Sequence, residues 1–245
     1  MSDNPLTVVL VHGAFADSSS WNGVIERLQA EGVEVAAPPN PLRGISYDSA
    51  YVTSFIKQIP GPVLAVGHSY GGSVISNVDA DNVVGLVFVA AFASDEGETL
   101  GEVSAGSKDS VLNSALVQLQ YPAENGKTAT EFAIDPAKFR DAFAADVPVE
   151  QTMLMAVTQR PIAEAAFSEK SGPPSWKSLP SWTVVATGDK AAGTDVIRSM
   201  AERAGATITE VEGSHVIMIS QPAVVTKVIL TAAAAVDRQA ATAAH

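Results

Sequence analysis

Short apolar runs alternate along the chain with longer segments in which apolar residues recur at helical spacing. The runs are rich in valine and have the length of strands rather than of helices. Because most of these runs are apolar at nearly every position, we predict a mostly parallel sheet with helices on both of its faces. The six predicted strands span residues 6–11, 33–36, 63–66, 84–89, 182–187 and 207–211.

The predicted covering helices occupy residues 20–30, 48–59, 73–79, 194–204 and 222–235. Pro222 suits a first helical turn, where its missing N–H has no cost. Ser20 is a candidate cap for the first of these helices, and Thr194 for the fourth. This order of strands and helices predicts an α/β fold with a sheet of about six strands.

The alternation lapses between residues 95 and 180, where no strand signal of comparable strength occurs. Helix-like segments lie at 111–119, 136–145 and 150–157, separated by turn-forming pairs such as Asn125-Gly126. We predict that this segment is an insertion of short helices that forms a lid over the carboxyl edge of the sheet. A separate helical domain is the alternative, but its apolar faces are too thin to close a core.

Composition narrows the class of protein. The 245 residues are 47% hydrophobic and 17% charged, as in a globular enzyme or binding domain, and their number suits one α/β domain over 1–245. The 15 lysines and arginines are outnumbered by 27 aspartates and glutamates, which gives a net charge of −12. We therefore expect neither nucleic acid nor an anionic membrane as a partner.

The chain contains no cysteine, which excludes a disulfide, a thiolate nucleophile and a cysteine-ligated metal. Its first residues carry no basic segment, and the apolar run at 8–11 is too short for a signal peptide. No stretch approaches the ~20 apolar residues of a membrane-spanning helix. We expect a cytoplasmic protein, and nothing in the sequence indicates its oligomeric state.

One serine stands between glycines directly after a predicted strand, in the stretch VGHSYGG at residues 66–72. A strand that ends at Gly67 and a helix that starts after Gly71 would turn sharply at Ser69 and leave its hydroxyl exposed. The simpler interpretation is an ordinary loop whose glycines relieve crowding. A G-x-S-x-G match alone does not decide between the two interpretations.

Other polar residues also follow predicted strands. His12 and Gly13 follow the first strand and open a loop whose N–H groups could face Ser69, although a tight turn with a structural histidine explains them too. Asp189 follows the strand at 182–187, and His215 follows the strand at 207–211. Because ligands of open α/β sheets bind at the carboxyl ends of strands, we predict that these residues meet at one edge.

His215 has no rival as a base, because His12 belongs to a turn, His68 flanks the serine and His245 is terminal. Asp189 does have rivals. Asp195 is better explained as an acid in the first turn of a helix, and Asp95-Glu96 as the opening of the lid.

The motifs HGAF, GHSYGG, TGD and GSH resemble those of the α/β-hydrolase superfamily, in which serine, acid and histidine follow one another in this order along the chain. HGAFADSSSW together with VGHSYGG is similar to small bacterial serine hydrolases and to plant methylesterases and hydroxynitrile lyases. The resemblance covers the whole chain except the lid. It implies a triad of Ser69, His215 and Asp189 acting on esters, sometimes on amides or carbamates.

In that interpretation the N–H groups of Ala14 and Tyr70 form the oxyanion hole, and no metal or organic cofactor is needed. We expect a small, largely uncharged carboxylic ester as substrate, cleaved through an acyl-enzyme intermediate. Phe15, Met153, Trp176 and Val216 are our candidates for the substrate pocket, with Met155 and Phe143 as further apolar residues of the lid. Such residues on short helices often serve only in packing.

Other functions remain open on the same triad. Hydroxynitrile lyases of this group carry a lysine directly after the triad histidine, whereas this chain has Val216 there, which argues against lyase chemistry. Perhydrolysis, as in cofactor-free haloperoxidases, is a second alternative. A binding module for a small ligand on the same fold is a third, because fold alone does not determine function.

Overall fold

The computed structural model describes residues 4–243. In chain order its strands are β1 (Thr7–Val11), β2 (Glu34–Ala36), β3 (Val63–His68), β4 (Val83–Val89), β5 (Leu116–Pro122), β6 (Thr128–Ile134), β7 (Ile162–Ala163), β8 (Ser181–Ala186) and β9 (Thr207–Val211). A six-stranded parallel sheet has the order β2-β1-β3-β4-β8-β9. The predicted α/β fold with six parallel strands is confirmed, with strand ends that differ by at most two residues.

Burial differs between the centre and the edges of this sheet. Every residue of β1, β3 and β8 is buried, as is every residue of β4 except Val84, which agrees with strands covered on both faces. The edge strands β2 and β9 are partly exposed. Each edge strand carries a glutamate, Glu34 or Glu210, and the prediction of burial on both faces does not hold for these two strands.

The helices are α1 (Asn22–Ala30), α2 (Ile45–Ile56), α3 (Tyr70–Ser76), α4 (Leu100–Ala105), α5 (Leu112–Ala115), α6 (Pro136–Phe143), α7 (Val149–Thr158), α8 (Ala165–Ser168), α9 (Thr194–Arg203), α10 (Ile217–Ser220) and α11 (Pro222–Ala243). Among them are the five predicted covering helices, α1, α2, α3, α9 and α11. Short 3₁₀ turns lie at Ser18–Trp21, Glu124–Gly126 and Ser175–Lys177.

Two predicted helix caps are wrong. Asp17, not Ser20, caps the turn before α1, because its carboxylate accepts the N–H of Ser19 at 2.8 Å. Gly193 precedes α9, and the hydroxyl of Thr194 donates instead to the carbonyl of Ala186 at 2.8 Å. Ser20 lies within the 3₁₀ turn and Thr194 is the first residue of α9, so neither occupies the capping position.

The segment between β4 and β8 is not purely helical, which corrects the prediction for residues 95–180. β5 and β6 form an antiparallel hairpin, and β7 adds a third strand. The predicted helix at 111–119 is wrong beyond Ala115. Asn125 and Gly126 have φ of 58° and 70°, the left-handed values that a tight hairpin turn requires.

β5 is mostly exposed, so its sequence lacks the continuous apolar run that marks the buried strands. Apolar and polar residues alternate from Val117 to Tyr121, which is the pattern of a strand with one face towards solvent. We call residues 95–180 the lid segment from here on. No helix within residues 4–243 has the length and apolarity to cross a bilayer.

Candidate active site

The four motifs found in the sequence lie at the carboxyl edge of the parallel sheet. Ser69 follows the last residue of β3, and His12 follows the last residue of β1. Asp189 lies three residues after β8, and His215 lies four residues after β9. The fold thus brings to one edge the residues that the chain separates by up to 203 positions, from His12 to His215.

Ser69 forms a sharp turn between β3 and α3. Its φ of 53° and ψ of −124° are strained for a residue with a side chain, and such strain commonly occurs at functional sites. The flanking glycines allow the turn: a Cβ on Gly67 would lie 2.5 Å from the carbonyl oxygen of Gly71, and one on Gly71 would collide with the carbonyl oxygen of Val11. Ser69 is 7% exposed.

His215 and Asp189 form a buried hydrogen-bonded pair. Nδ1 of His215 lies 2.7 Å from Oδ2 of Asp189, and both side chains are at most 2% exposed. The other carboxylate oxygen accepts the N–H groups of Ala191 at 2.9 Å and Ala192 at 3.0 Å. Because a carboxylate only accepts, Nδ1 carries the hydrogen, which leaves Nε2 of His215 able to accept a proton.

The alternative acids have other partners. Asp95 pairs with Lys177 at 2.5 Å. Asp195 accepts the hydroxyl of Ser107 at 2.6 Å and the N–H of Lys108 at 2.8 Å, and so links α9 to the lid segment. Among the acids weighed in the sequence analysis, the one in hydrogen-bond contact with His215 is Asp189.

Two further histidines are buried beside the site. Nε2 of His68 lies 3.0 Å from the carbonyl oxygen of His215 and must donate to it, and the two rings are 4.8 Å apart between centroids. Burial holds the pKa of His68 well below 6.5. His68 is therefore neutral at pH 7 and supports the backbone of His215 from beneath.

His12 is held by the loop after β2. Its Nε2 accepts the N–H of Asn40 at 2.9 Å, so its Nδ1–H donates to the carbonyl of Gly13 at 2.9 Å. The amide of Asn40 donates in turn to the carbonyl of His12 at 3.0 Å. Burial lowers the pKa of His12 from 6.5 to about 4, so this histidine is also neutral and fixes the turn that carries Ala14.

The backbone around Ala14 and Tyr70 leaves two amides without an acceptor in the described part of the chain. The next N–H along the first loop, that of Phe15, donates to the carbonyl of Arg160 at 3.1 Å. On the other side, the N–H of Gly72 donates to the carbonyl of Ser69 at 2.9 Å. Tyr70 is the first residue of α3, where backbone N–H groups have no partner within the helix.

Ser69 and His215 line one small, mostly apolar cavity. Ala14 and Tyr70 also line it. The remaining walls come from both the sheet edge and the lid segment: Phe15, Phe92, Leu100, Ser104, Leu112, Phe143, Phe167, Ala191 and Ala192. The cavity contains no carboxylate or amine side chain, so it suits an uncharged ligand. Two larger grooves elsewhere on the surface contain neither Ser69 nor His215.

The predicted pocket residues agree only in part with this cavity. Phe15 lines it, but Met153 is 66% exposed on α7 and lies elsewhere. Trp176 is buried against the core, where its indole N–H donates to the carbonyl of Ser94 at 3.1 Å. Val216 is also buried outside the lining. None of these three residues lines the cavity, because size and apolarity in the sequence do not show which side chains face it.

Comparison with known proteins identifies the family. Residues 8–228 match the model of the alpha/beta hydrolase family, so the chain belongs to that family. A pyrethroid hydrolase from Sphingobium wenxiniae is 24% identical over 157 residues, which is 58% of this chain and 56% of that protein. The chain therefore matches just over half of the length of this curated relative.

Solved structures agree on the fold. Polyneuridine aldehyde esterase superposes with a TM-score of 0.77 at 21% identity, covering 93% of this chain and 99% of that one. A methylesterase from Arabidopsis gives a TM-score of 0.76 at 17% identity, covering 94% and 99%. These likenesses show that the chain shares its fold with both proteins.

Proposed function

We propose that the protein is a serine hydrolase that cleaves small, largely uncharged esters. The observation that carries the proposal is the hydrogen bond between His215 and Asp189 at 2.7 Å, together with a cavity that His215 shares with Ser69. The relatives support the reaction class, since their names describe a pyrethroid hydrolase, an esterase and a methylesterase.

The reaction follows from the chemistry of these groups. Ser69 Oγ attacks the ester carbonyl while Nε2 of His215 takes its proton, and Asp189 stabilises the resulting imidazolium. The N–H groups of Ala14 and Tyr70 donate to the oxygen that becomes negative. The imidazolium then protonates the departing alcohol, and an acyl-serine remains.

Water completes the cycle. His215 takes a proton from a water molecule, which attacks the acyl-serine, and the second tetrahedral intermediate collapses to release the acid and restore Ser69. Each donor to the oxyanion stabilises both tetrahedral states, typically by ~3 kcal/mol. Burial of the site makes those hydrogen bonds stronger than they would be in water.

Hydrolysis fits the site better than the lyase alternative. Val216 occupies the position after His215, is fully buried and has no charge with which to stabilise a departing cyanide. We expect no cleavage of mandelonitrile above the uncatalysed rate. If the protein turned over mandelonitrile faster than esters, the lyase activity would be preferred to hydrolysis.

The proposal can be tested with a fluorophosphonate probe and p-nitrophenyl esters. We expect the probe to modify Ser69, as located by peptide mass spectrometry, and Ser69→Ala to lose labelling and most turnover, since removal of a triad serine costs ~10⁶-fold in kcat. Thermal unfolding should be nearly unchanged. A panel of esters, carbamates, amides and lactones, with a peroxide arm for perhydrolysis, would rank the possible substrates. Absence of labelling and of turnover would favour a binding module.

A further inference from the structure

The tyrosine after the candidate nucleophile is anchored by a buried acid. The hydroxyl of Tyr70 donates to Oδ2 of Asp48 on α2 at 2.7 Å. Tyr70 is 1% exposed and Asp48 is not exposed at all. A carboxylate buried this deeply is costly unless donors surround it, so its position requires an explanation.

The other contacts of Asp48 come from the loop before α2. The N–H of Arg43 lies 3.1 Å from each carboxylate oxygen, and the N–H of Gly44 lies 3.4 Å from Oδ2. Every one of these partners is a donor. Burial raises the pKa of Tyr70 well above 10, so its hydroxyl keeps the proton that it donates. Asp48 thus joins the loop and Tyr70 as a shared acceptor.

The same loop is held from its other side by the lid segment. The guanidinium of Arg43 donates to Glu131 of β6 at 2.7 Å and lies 4.4 Å from the ring centroid of Tyr121 of β5. The carbonyl of Leu42 accepts the N–H of Ala163 of β7 at 2.9 Å. A continuous set of contacts therefore runs from the antiparallel sheet through Asp48 to Tyr70.

We propose that Asp48 is a positioning residue, which through the Tyr70 hydroxyl fixes the peptide between Ser69 and Tyr70 and so aims the Tyr70 N–H at the oxyanion. The inference rests on the proposed function. Ser69 has a strained backbone, so the orientation of the next peptide depends on what holds Tyr70. The hydrogen bond from the Tyr70 hydroxyl to Asp48 holds Tyr70 by the end of its ring that is farthest from its backbone N–H.

Tyr70→Phe tests this inference with the least disturbance, because it removes one oxygen and keeps the ring. Loss of a whole oxyanion donor costs ~10²- to 10³-fold in kcat, so a misaligned donor should cost about tenfold, with KM within about twofold. A trifluoromethyl ketone forms a tetrahedral oxyanion on the serine. Its inhibition constant should rise by the same factor as kcat/KM falls.

Asp48→Ala provides a second variant, in which both acceptor oxygens of the side chain are removed. We expect a fall in kcat in the same direction, and a double variant with Tyr70→Phe that is no worse than the more impaired single variant, because both changes break one contact. Additive losses in the double variant would show that the two residues act separately and would overturn the inference.

Ser73→Ala is the matched control on α3. It removes another buried hydroxyl, which lies 2.9 Å from that of Ser94, and is expected to reduce stability while leaving kcat within about twofold. If the fluorophosphonate probe modifies Ser69 of the wild type, and Tyr70→Phe has the kcat and the ketone affinity of the wild type, the positioning role assigned to Asp48 is wrong. The proposed function then stands. A wild type that neither labels nor turns over esters would overturn both.

Discussion

The parallel sheet and the lid segment place their residues at the cavity in different ways. Ser69, Asp189 and His215 come from loops that directly follow strands of the sheet, and backbone hydrogen bonds fix those loops. Phe143 and Phe167 come from short lid helices and reach the same cavity through side-chain packing. The sheet thus positions the candidate catalytic groups, and the lid segment supplies part of the cavity wall through side-chain packing.

The parallel sheet and the lid segment also differ in how far their side chains are exposed to solvent. Val8, Leu64 and Val87 of the parallel sheet are fully buried, whereas Val117 and Leu119 of the antiparallel hairpin are 36% and 40% exposed. Rigid, buried elements hold catalytic groups to the small tolerances that catalysis requires. We therefore expect changes at the sheet edge to affect turnover and changes in the lid segment to affect substrate preference.

The largest effect in this comparison should come from Asp189→Asn. The amide can keep its contact with His215 only by selecting the wrong imidazole tautomer, so kcat should fall by ~10³- to 10⁴-fold with little change in folding. Steady-state kinetics on p-nitrophenyl esters and thermal unfolding measure the two effects.

Asp195→Asn is the control for that variant. Asp195 follows the same strand but binds Ser107 and Lys108 of the lid segment, so kcat should stay within about threefold. If the two aspartates exchanged phenotypes, or if both variants stayed active and Asp95→Asn did not, the acid would have to be reassigned.

The sheet could be predicted from sequence because its central strands are buried on both faces and read as continuous apolar runs. Ser69 and Asp189 follow such runs and His215 follows the edge strand β9, so all three were expected at one edge of the sheet, and the resemblance to α/β-hydrolases then implied the candidate triad. Asp189 could be distinguished from Asp195 because Asp189 directly follows a predicted strand, whereas Asp195 lies in the first turn of a predicted helix.

The lid hairpin and Asp48 could not be predicted in this way. The alternation in β5 covers only five residues, and β5 lacks the continuous apolar run of the buried strands, although Asn125-Gly126 is a usable hairpin signal. Asp48 looks like an ordinary acid in the first turn of a helix. Its burial depends on a loop and on Tyr70, which lies 22 residues further along the chain.

A smaller effect should be a loss of folding stability at low pH. Histidines should contribute to it from outside the lid segment, because all four of them lie there in the sequence. Burial lowers the pKa of His12 from 6.5 to about 4, so between these values the unfolded chain binds a proton that the folded chain does not. The stability that His12 contributes is present above pH 6.5 and is lost as the pH falls towards 4. Between pH 7 and 4.5 that loss should be about 2 kcal/mol.

His12→Gln isolates this contribution, because the amide oxygen of glutamine can accept the N–H of Asn40 in place of Nε2. Urea unfolding of both proteins at pH 7 and 4.5 gives the two differences in free energy. The variant should lose about 2 kcal/mol less than the wild type over this range. Equal losses would mean that the pKa of His12 is not depressed in the folded state.

The smallest effect tests whether the lid segment controls substrate preference through the residues that reach the cavity. Phe143→Leu keeps an apolar side chain but removes a ring that lies 5.1 Å from that of His215. Because contacts in an apolar pocket discriminate substrates by about 1 to 3 kcal/mol, the ratio of kcat/KM for phenyl acetate to that for phenyl benzoate should change by about tenfold. Met153→Ala, on the exposed side of α7, should leave that ratio within about twofold. A shift in the ratio with Met153→Ala and none with Phe143→Leu would place the substrate outside the cavity that contains Ser69.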